Sequence, residues 1–364
     1  MPVFVHVLAL AVFAQGTSEF MLAGLVPGIA GDLSVSVPAA AGLTSAYAVG
    51  MIVGAPVMAA WSARWPRRRA LAGFLVAFVV VHVVGAVTSD FVLLFGSRVV
   101  AAVVNAGFLA VAMSVAAGMA APARATAVLL GGVTLSCVAG VPAGAWLGDV
   151  AGWRAAFWAV AALCLPALAL VFRAAPRAAA GGRDVQLGRE VRLVLAPPVR
   201  SVLVRAALVN GATFATFAYL AVIAKDVAGL RPGGVPVLLA VFGAGAFLCV
   251  TMGGRLGLRP VTGWVLAAGW LALAATSTHP IPLYALTFCL GALSFAVGSA
   301  LVGQVMHVAA DAPALNGASA TVALNVGAFA GPLLAGAATT ATTDYRAAAV
   351  VSAATALSAV MTRR

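Results

Sequence analysis

With 364 residues, 63% of them hydrophobic and only 8% charged, the chain lies far outside the composition of a soluble domain, in which about a quarter of residues are charged. Runs of roughly 20 apolar residues, each enough to cross a bilayer as a helix, recur from end to end. The alternation of a membrane β-barrel is missing, so the class is an all-α membrane protein. The net charge of +12 raises nucleic acid as a partner, but no segment outside the apolar runs is long enough to fold into a domain that would bind it.

The apolar pattern predicts twelve helices, over 3–27, 41–60, 70–88, 91–118, 126–148, 154–173, 201–223, 235–255, 260–277, 281–308, 315–338 and 345–362. With the N-terminus in the cytoplasm, fifteen arginines fall inside: Arg64, Arg67, Arg68, Arg69, Arg124, Arg173, Arg177, Arg183, Arg189, Arg192, Arg200, Arg255, Arg259, Arg363 and Arg364. Only Arg154, Lys225, Arg231 and Arg346 fall outside. Basic residues flanking spans stay cytoplasmic, so the basic balance is topology and both termini are expected in the cytoplasm of a cell-membrane protein. "MPVFVHVLAL" has no basic residue ahead of its apolar run, unlike a removable signal peptide. Cys137, Cys164, Cys249 and Cys289 lie far apart inside predicted helices, without CxxC spacing. They read as small apolar residues, and no metal site is expected.

The longest polar interruption, "RAAPRAAAGGRDVQLGREVRLVLAPPVR" (173–200), separates six helices from six. The expected domains are an N-terminal bundle over 1–173, a cytoplasmic linker over 174–200 and a C-terminal bundle over 201–364. The halves are similar: Pro142 matches Pro332, "GWRAA" (152–156) matches "DYRAA" (344–348), and "QGTSEF" (15–20) matches "NGATFA" (210–215). Two six-helix halves repeated in one orientation are the organisation of a carrier with its site between them, near the bilayer midplane.

Four segments narrow the reading: "FAQGTSEFMLAGLVP" (13–27), "SVSVPAAAGLTSAYAVGMIVGAP" (34–56), "VLLGGVTLSCVAGVP" (128–142) and "GALSFAVGSALVGQV" (291–305). Through them the chain resembles the major facilitator superfamily, in its twelve-helix drug:proton antiporter group, and is similar to the chloramphenicol-resistance exporters. The resemblance implies the major facilitator fold of two pseudo-symmetric six-helix bundles. It also implies a small-molecule drug and protons as partners, the proton gradient as energy source and no cofactor.

Glu19 is the acid placed deepest, about eight residues or roughly 12 Å from the outer end of the first helix. A charged, unpaired carboxylate there is costly, which points to function; a static ion pair or a hydrogen-bonded acid is the plainer alternative. Its counterpart in the second half is Phe214. Arg98, in "FGSRVVAAVVNAG" (95–107), shares this depth on the fourth helix. The resemblance makes it the arginine that tunes Glu19; snorkelling to the headgroups is the alternative. Gly140, Pro142 and Gly144 resemble the helix-five antiporter motif, with the usual Gly-Pro pair split by Val141; ordinary helix packing explains the glycines equally well.

The loop after the second helix keeps Arg64, Arg67 and Arg68 of the family's pattern but has Ala59 and Ala63 where a glycine and an aspartate are usual. Topology is therefore the better reading of its charge. Asn105 and Asn210 could offer hydrogen bonds to a ligand, with Gln15, Thr17, Ser18 and Thr213 beside them. Phe20, Tyr47, Phe214 and Phe217 could offer flat apolar walls. His82 and His307 read as packing residues or minor polar contacts. No phosphate-cradling loop, nucleophile pair or metal cluster is present in the pattern, so no enzyme is expected.

The sequence thus supports a monomeric, proton-coupled exporter of a small amphipathic, chloramphenicol-like antibiotic in the lipid bilayer. A same-fold exporter of sugars or nucleosides, a membrane receptor or scaffold, and an inactive relative remain as alternatives.

Overall fold

The computed structural model describes residues 3–62, 65–117, 122–174, 187–231, 233–252, 260–312 and 315–362, and every regular element among them is helical. In chain order the first half holds α1 (Val3–Phe20), α2 (Leu22–Asp32), α3 (Val37–Ser62), α4 (Arg67–Val87) and α5 (Phe91–Ala117), then α6 (Pro122–Leu135), α7 (Val141–Ala151) and α8 (Trp153–Ala174). A short α9 (Leu187–Val194) follows. The second half holds α10 (Pro197–Phe217), α11 (Leu220–Val222), α12 (Gly234–Met252), α13 (Pro260–Thr276), α14 (Pro280–Val308), α15 (Asn316–Thr342) and α16 (Ala347–Met361). α10 therefore begins inside the stretch expected as linker, because Pro197 at its first position needs no backbone donor.

Among the described residues, eight helices are long and apolar enough to cross a membrane, or nine when the bent pair α1–α2 is one span. Three shorter apolar helices, Gly234–Leu248, Thr262–Thr276 and Ala347–Met361, occupy three of the twelve predicted spans but fall below that length. The first span also runs further than expected, to Asp32 rather than residue 27.

The first span breaks at Met21, where α2 turns 49° from α1. The Gly24 N–H turns to the Met21 carbonyl (3.0 Å), a tighter bond than the α-helical one, which takes Gly24 away from Phe20. The same bond recurs in the second half, where the Tyr219 N–H turns to the Thr216 carbonyl (3.0 Å) at the junction of α10 and α11. Aligning Gln15 with Asn210 puts Gly24 on Tyr219 and Met21 on Thr216. The repeat therefore preserves the tight bond in the first helix of each half, while the large bend is found in the first half.

The fifth span breaks for another reason. Between α6 and α7, Ser136–Gly140 form a π-turn in which the Val141 N–H reaches back to Ser136. Pro142 next in line has no N–H to give to the carbonyl four residues earlier, so the wider turn absorbs the fault. On the same face, Gly132, Ser136, Gly140, Gly144 and Gly148 recur every fourth residue and lie against α1 and α2. A Cβ on Gly144 would stand 2.9 Å from the Met21 side chain, and one on Gly140 would overlap Thr17. Small residues substitute here for a hydrophobic driving force that lipid does not supply.

Within the first half α1 packs on α6 and α8, α3 on α5, and α4 on α5 and α8; within the second, α10 packs on α14, α15 and α16, and α12 on α14. Among the described residues the halves meet along seams of α3 against α15 and of the fifth span against α12, with α2 also against α11. Ser45 donates to the Phe329 carbonyl (2.8 Å) across the first seam. At the second, a Cβ on Gly243 would stand 2.9 Å from Val138 Cα.

Beyond the Asp32 end of the first span, Arg154 joins three elements. It pairs with Asp32, donates to the Thr88 carbonyl (3.0 Å) and lies over the Trp153 ring at 4.4 Å. Among the described residues its repeat partner Arg346 forms an ion pair only with Asp344, two residues away (2.7 Å).

Gly140→Val is expected to destabilise the protein by about 1–3 kcal/mol, the usual cost of overpacking. Gly96→Ala, whose added Cβ meets nothing within 4 Å, is expected to be neutral or to stabilise by roughly 0.5–1 kcal/mol. Thermal unfolding of the two purified variants in detergent tests the contrast; equal melting temperatures would refute the close-packed seam.

Candidate functional site

Glu19 and Phe20 occupy the last positions of α1, immediately before the break, and are half-buried, whereas Gln15, Ser18 and Met21 around them are buried. The Glu19 carboxylate has no hydrogen-bond or ion-pair partner among the described residues. The ion pair expected with Arg98 is therefore not formed. Successive residues on a helix point about 100° apart, and it is Ser18, not Glu19, that faces Arg98.

Arg98 does not snorkel either. Its side chain is 0% exposed, like those of Ser18 and His82, and the three form one network across α1, α4 and α5. Arg98 Nη1 donates to Ser18 Oγ at 2.9 Å, and Ser18 Oγ lies 2.6 Å from His82 Nε2. Arg98 Nη2 lies 3.4 Å from the same nitrogen, and His82 Nδ1 lies 2.7 Å from the Phe78 carbonyl. The guanidinium also rests 4.7 Å from the centroid of the Phe157 ring on α8, where the negative face of the aromatic attracts it. Arg98 Nε has no partner among the described residues. Of the two readings given for His82, packing residue or minor polar contact, it is the polar contact that the network shows. Its signal was a lone polar side chain inside "FVVVHVVG".

The aromatic residues expected as walls come together in part. Phe20 lies 6.1 Å from Phe214, and Phe214 lies 5.9 Å from Phe217. Two residues outside the expected set extend the row: Phe242 at 4.9 Å from Phe217, and Phe295 at 6.1 Å from Phe242. The row crosses from α1 into α10, α12 and α14, so it spans the two halves. Phe214, the repeat counterpart of Glu19, contributes an apolar ring where the first half carries a carboxylate.

The amides and Tyr47 are committed elsewhere. Asn105 donates to the Tyr47 hydroxyl (2.9 Å), binding α5 to α3, with both side chains buried. Asn210 donates to the Leu324 carbonyl (2.7 Å), binding α10 to α15. Thr17 and Thr213 bond to the carbonyls of Phe13 and Val209, four residues back on their own helices. Gln15 is buried with neither amide atom partnered among the described residues.

Gly140 and Gly144 face α1, and the gap they leave beside Phe13, Thr17 and Met21 has a volume of about 150 Å³. Drug-sized pockets have roughly 300–1,000 Å³, so this gap is a packing feature. Arg68 donates to the Phe172 carbonyl in the last turn of α8, where helix carbonyls lack partners. Arg67 is half-buried with its Nε unpartnered among the described residues, and Arg64 lies outside them. Cys137 and Cys164 are buried as expected, while Cys289 is exposed on α14; the Cys249 side chain lies outside the description. No group of three or more His, Cys, Asp or Glu residues is present among the described residues.

Tyr47→Phe and Asn105→Ala are each expected to cost about 0.6–1.7 kcal/mol, the range for hydrogen bonds between membrane helices. Because they share one bond, the double variant should cost less than the sum. Equilibrium unfolding of the set in mixed micelles tests this, and full additivity would refute the pairing.

The Major Facilitator Superfamily profile matches residues 8–332. A chloramphenicol resistance protein of Streptomyces lividans is 51% identical over 350 residues, covering 92% of this chain and 88% of that protein. A chloramphenicol efflux pump of Mycobacterium tuberculosis is 30% identical over 358 residues, covering 91% and 84%. In fold, the chain is similar to an inward-facing, occupied bacterial homologue of the human lysosomal transporter Spinster, with a TM-score of 0.77 at 16% identity over 98% of this chain and 93% of that one. Membrane-length helices in two packed halves and a family match over most of the chain have one conclusion: this protein is a multi-pass membrane transporter of the Major Facilitator Superfamily.

Proposed function

We propose that the protein exports a small amphipathic antibiotic of the chloramphenicol type in exchange for protons, with Glu19 as the proton carrier. The observation that carries this reading is the placement of Glu19. It is an unpartnered, half-buried carboxylate at a helix break, one residue before the phenylalanine that begins the aromatic row between the halves. A half-buried carboxylate without an ion-pair partner can take and release a proton; one locked in an ion pair cannot. The names of the relatives from Streptomyces lividans and Mycobacterium tuberculosis support both the compound and the outward direction.

In this reading the three short helices cross the membrane with the other nine, giving twelve spans and cytoplasmic termini, and a monomer is the working unit. The halves rock about the α3–α15 and fifth-span–α12 seams to expose the site alternately. Drug stacks on the phenylalanine row, and Asn210 and Asn105 exchange their present bonds for the drug's polar groups as the seams open. Arg68 and its neighbours hold the ends of their helices at the cytoplasmic surface.

The magnitude suffices. Exchange of a neutral drug for one proton moves one charge, worth about 2.3 kcal/mol per 100 mV, or roughly a fiftyfold drug gradient.

Glu19→Gln is expected to abolish uphill drug accumulation in reconstituted vesicles carrying an imposed pH gradient, with insertion into the membrane retained. Drug-dependent proton flux measured on the same vesicles checks the coupling directly. A variant that still accumulates drug uphill overturns Glu19 as the proton carrier.

A further inference from the structure

We propose that His82 is a positioning residue of the transport cycle: its Nε2 is the acceptor that holds Ser18, and through it Arg98, in a place where the guanidinium is not paired with Glu19. The inference rests on the proton-coupling reading above and adds a residue to it.

The bonding pattern has only one consistent direction. A carbonyl oxygen only accepts, so the 2.7 Å contact with Phe78 requires the proton on His82 Nδ1. In the neutral ring Nε2 is then an acceptor. Ser18 must direct its hydroxyl hydrogen to that nitrogen, 2.6 Å away, which leaves its oxygen lone pairs for Arg98 Nη1 at 2.9 Å. The relay runs Arg98, Ser18, His82, Phe78 carbonyl, each member donating to the next. A proton on Nε2 would reverse the last side-chain link and set two positive groups 3.4 Å apart.

This arrangement holds the cation without satisfying it. A guanidinium has five N–H donors, and here Nε is unpartnered among the described residues while Nη2 has only the long contact. A buried cation in that condition favours any carboxylate within reach. Glu19 is the residue next to Ser18, with its Cα about 3.8 Å further along the chain. Ser18 and Glu19 are therefore rival partners for one cation, and the His82 acceptor weights the balance toward Ser18. The other titratable groups of the region are Tyr47 on α3, which lies within electrostatic range of Glu19 and Arg98, Cys137 in the fifth span, within range of Glu19, and Cys164 on α8. None of the three bonds to His82 among the described residues.

The consequence is a residue that keeps Glu19 free to carry a proton. Without the acceptor, Ser18 loses its fixed orientation, Arg98 turns to Glu19, and the carboxylate is held in an ion pair that does not release its proton site. Glutamine can replace the acceptor, because its amide oxygen accepts; leucine cannot.

The test uses the full chain in lipid vesicles and has two arms. The first is nitrogen NMR on ¹⁵N-histidine-labelled protein, where the His82 signal is identified by its disappearance in either His82 variant. The expected signature is a proton on Nδ1 and none on Nε2; a proton on Nε2 overturns the proposal. The second arm compares uphill drug accumulation for the wild type, His82→Leu and His82→Gln at matched insertion. His82→Leu is expected to lose roughly tenfold, as about 1.4 kcal/mol of misplaced pairing would give, and His82→Gln to stay within about threefold of the wild type, about 0.7 kcal/mol by the same relation. Unchanged accumulation in His82→Leu, or equal losses in both variants, overturns the acceptor role. If Glu19→Gln still pumps uphill, the proton carrier lies elsewhere, and the NMR arm alone decides where Arg98 is held.

Discussion

A guanidinium enclosed in an apolar helix bundle must be held by the protein, because no water reaches it and its desolvation is expensive. Arg98 is held by Ser18 from α1, by His82 from α4 and by the face of Phe157 from α8. Four spans are thereby tied around one charge, and their rotation about their own axes is set by it. With Ser18 turned toward Arg98, the helical period turns Glu19 away, to a half-buried position. The unpartnered carboxylate and the enclosed cation are two results of the same constraint.

The remaining architecture packs each half internally and joins the two along extended helix contacts. In the first half, glycine or serine at every fourth position of the fifth span brings it close against α1 and α2. Such contact depends on close approach of backbones rather than on burial from water. Across the seams the contacts include one hydroxyl to a carbonyl between α3 and α15, glycine against backbone between α12 and the fifth span, and phenylalanine rings in a row.

The two halves share the tightened bond of their first helix but not the π-turn of the fifth, since its counterpart α15 is unbroken. The tight bond at Gly24 recurs at Tyr219, although glycine stands in one place and tyrosine in the other. The acid at 19 has become phenylalanine at 214, and Gln15 has become Asn210. At the end where Arg154 bridges α2, the turn after α4 and α8, its counterpart Arg346 has turned to its own neighbour, Asp344. The hydrogen bonds from Arg346 hold the Asp344 carboxyl below the usual carboxylate range. The first half is therefore clamped at that end by a remote pair, and the second only by a local one.

Composition and periodicity were sufficient to establish the membrane class, the two halves and most span positions, because the bilayer imposes length and apolarity on each segment separately. The placement of Glu19 inside an apolar run was legible for the same reason: a charge where none is tolerated stands out in one dimension. What the sequence left open was which polar residues meet. Depth along a helix can be counted from residue numbers, and Glu19 and Arg98 do share a depth, but the direction of a side chain around its helix depends on how neighbouring helices pack. That rotation gave Arg98 to Ser18 and His82, gave Tyr47 to Asn105, and carried Asn210 to the Leu324 carbonyl. The breaks at Met21 and Tyr219 were equally hidden, since no proline marks the bond that tightens there. Nor does proline decide the matter by itself: Pro142 follows the π-turn at Ser136–Gly140, whereas its repeat match Pro332 sits inside the unbroken α15. What belongs to a residue or to its own helix is written in the sequence; what depends on the angle between two helices exists only once they have packed.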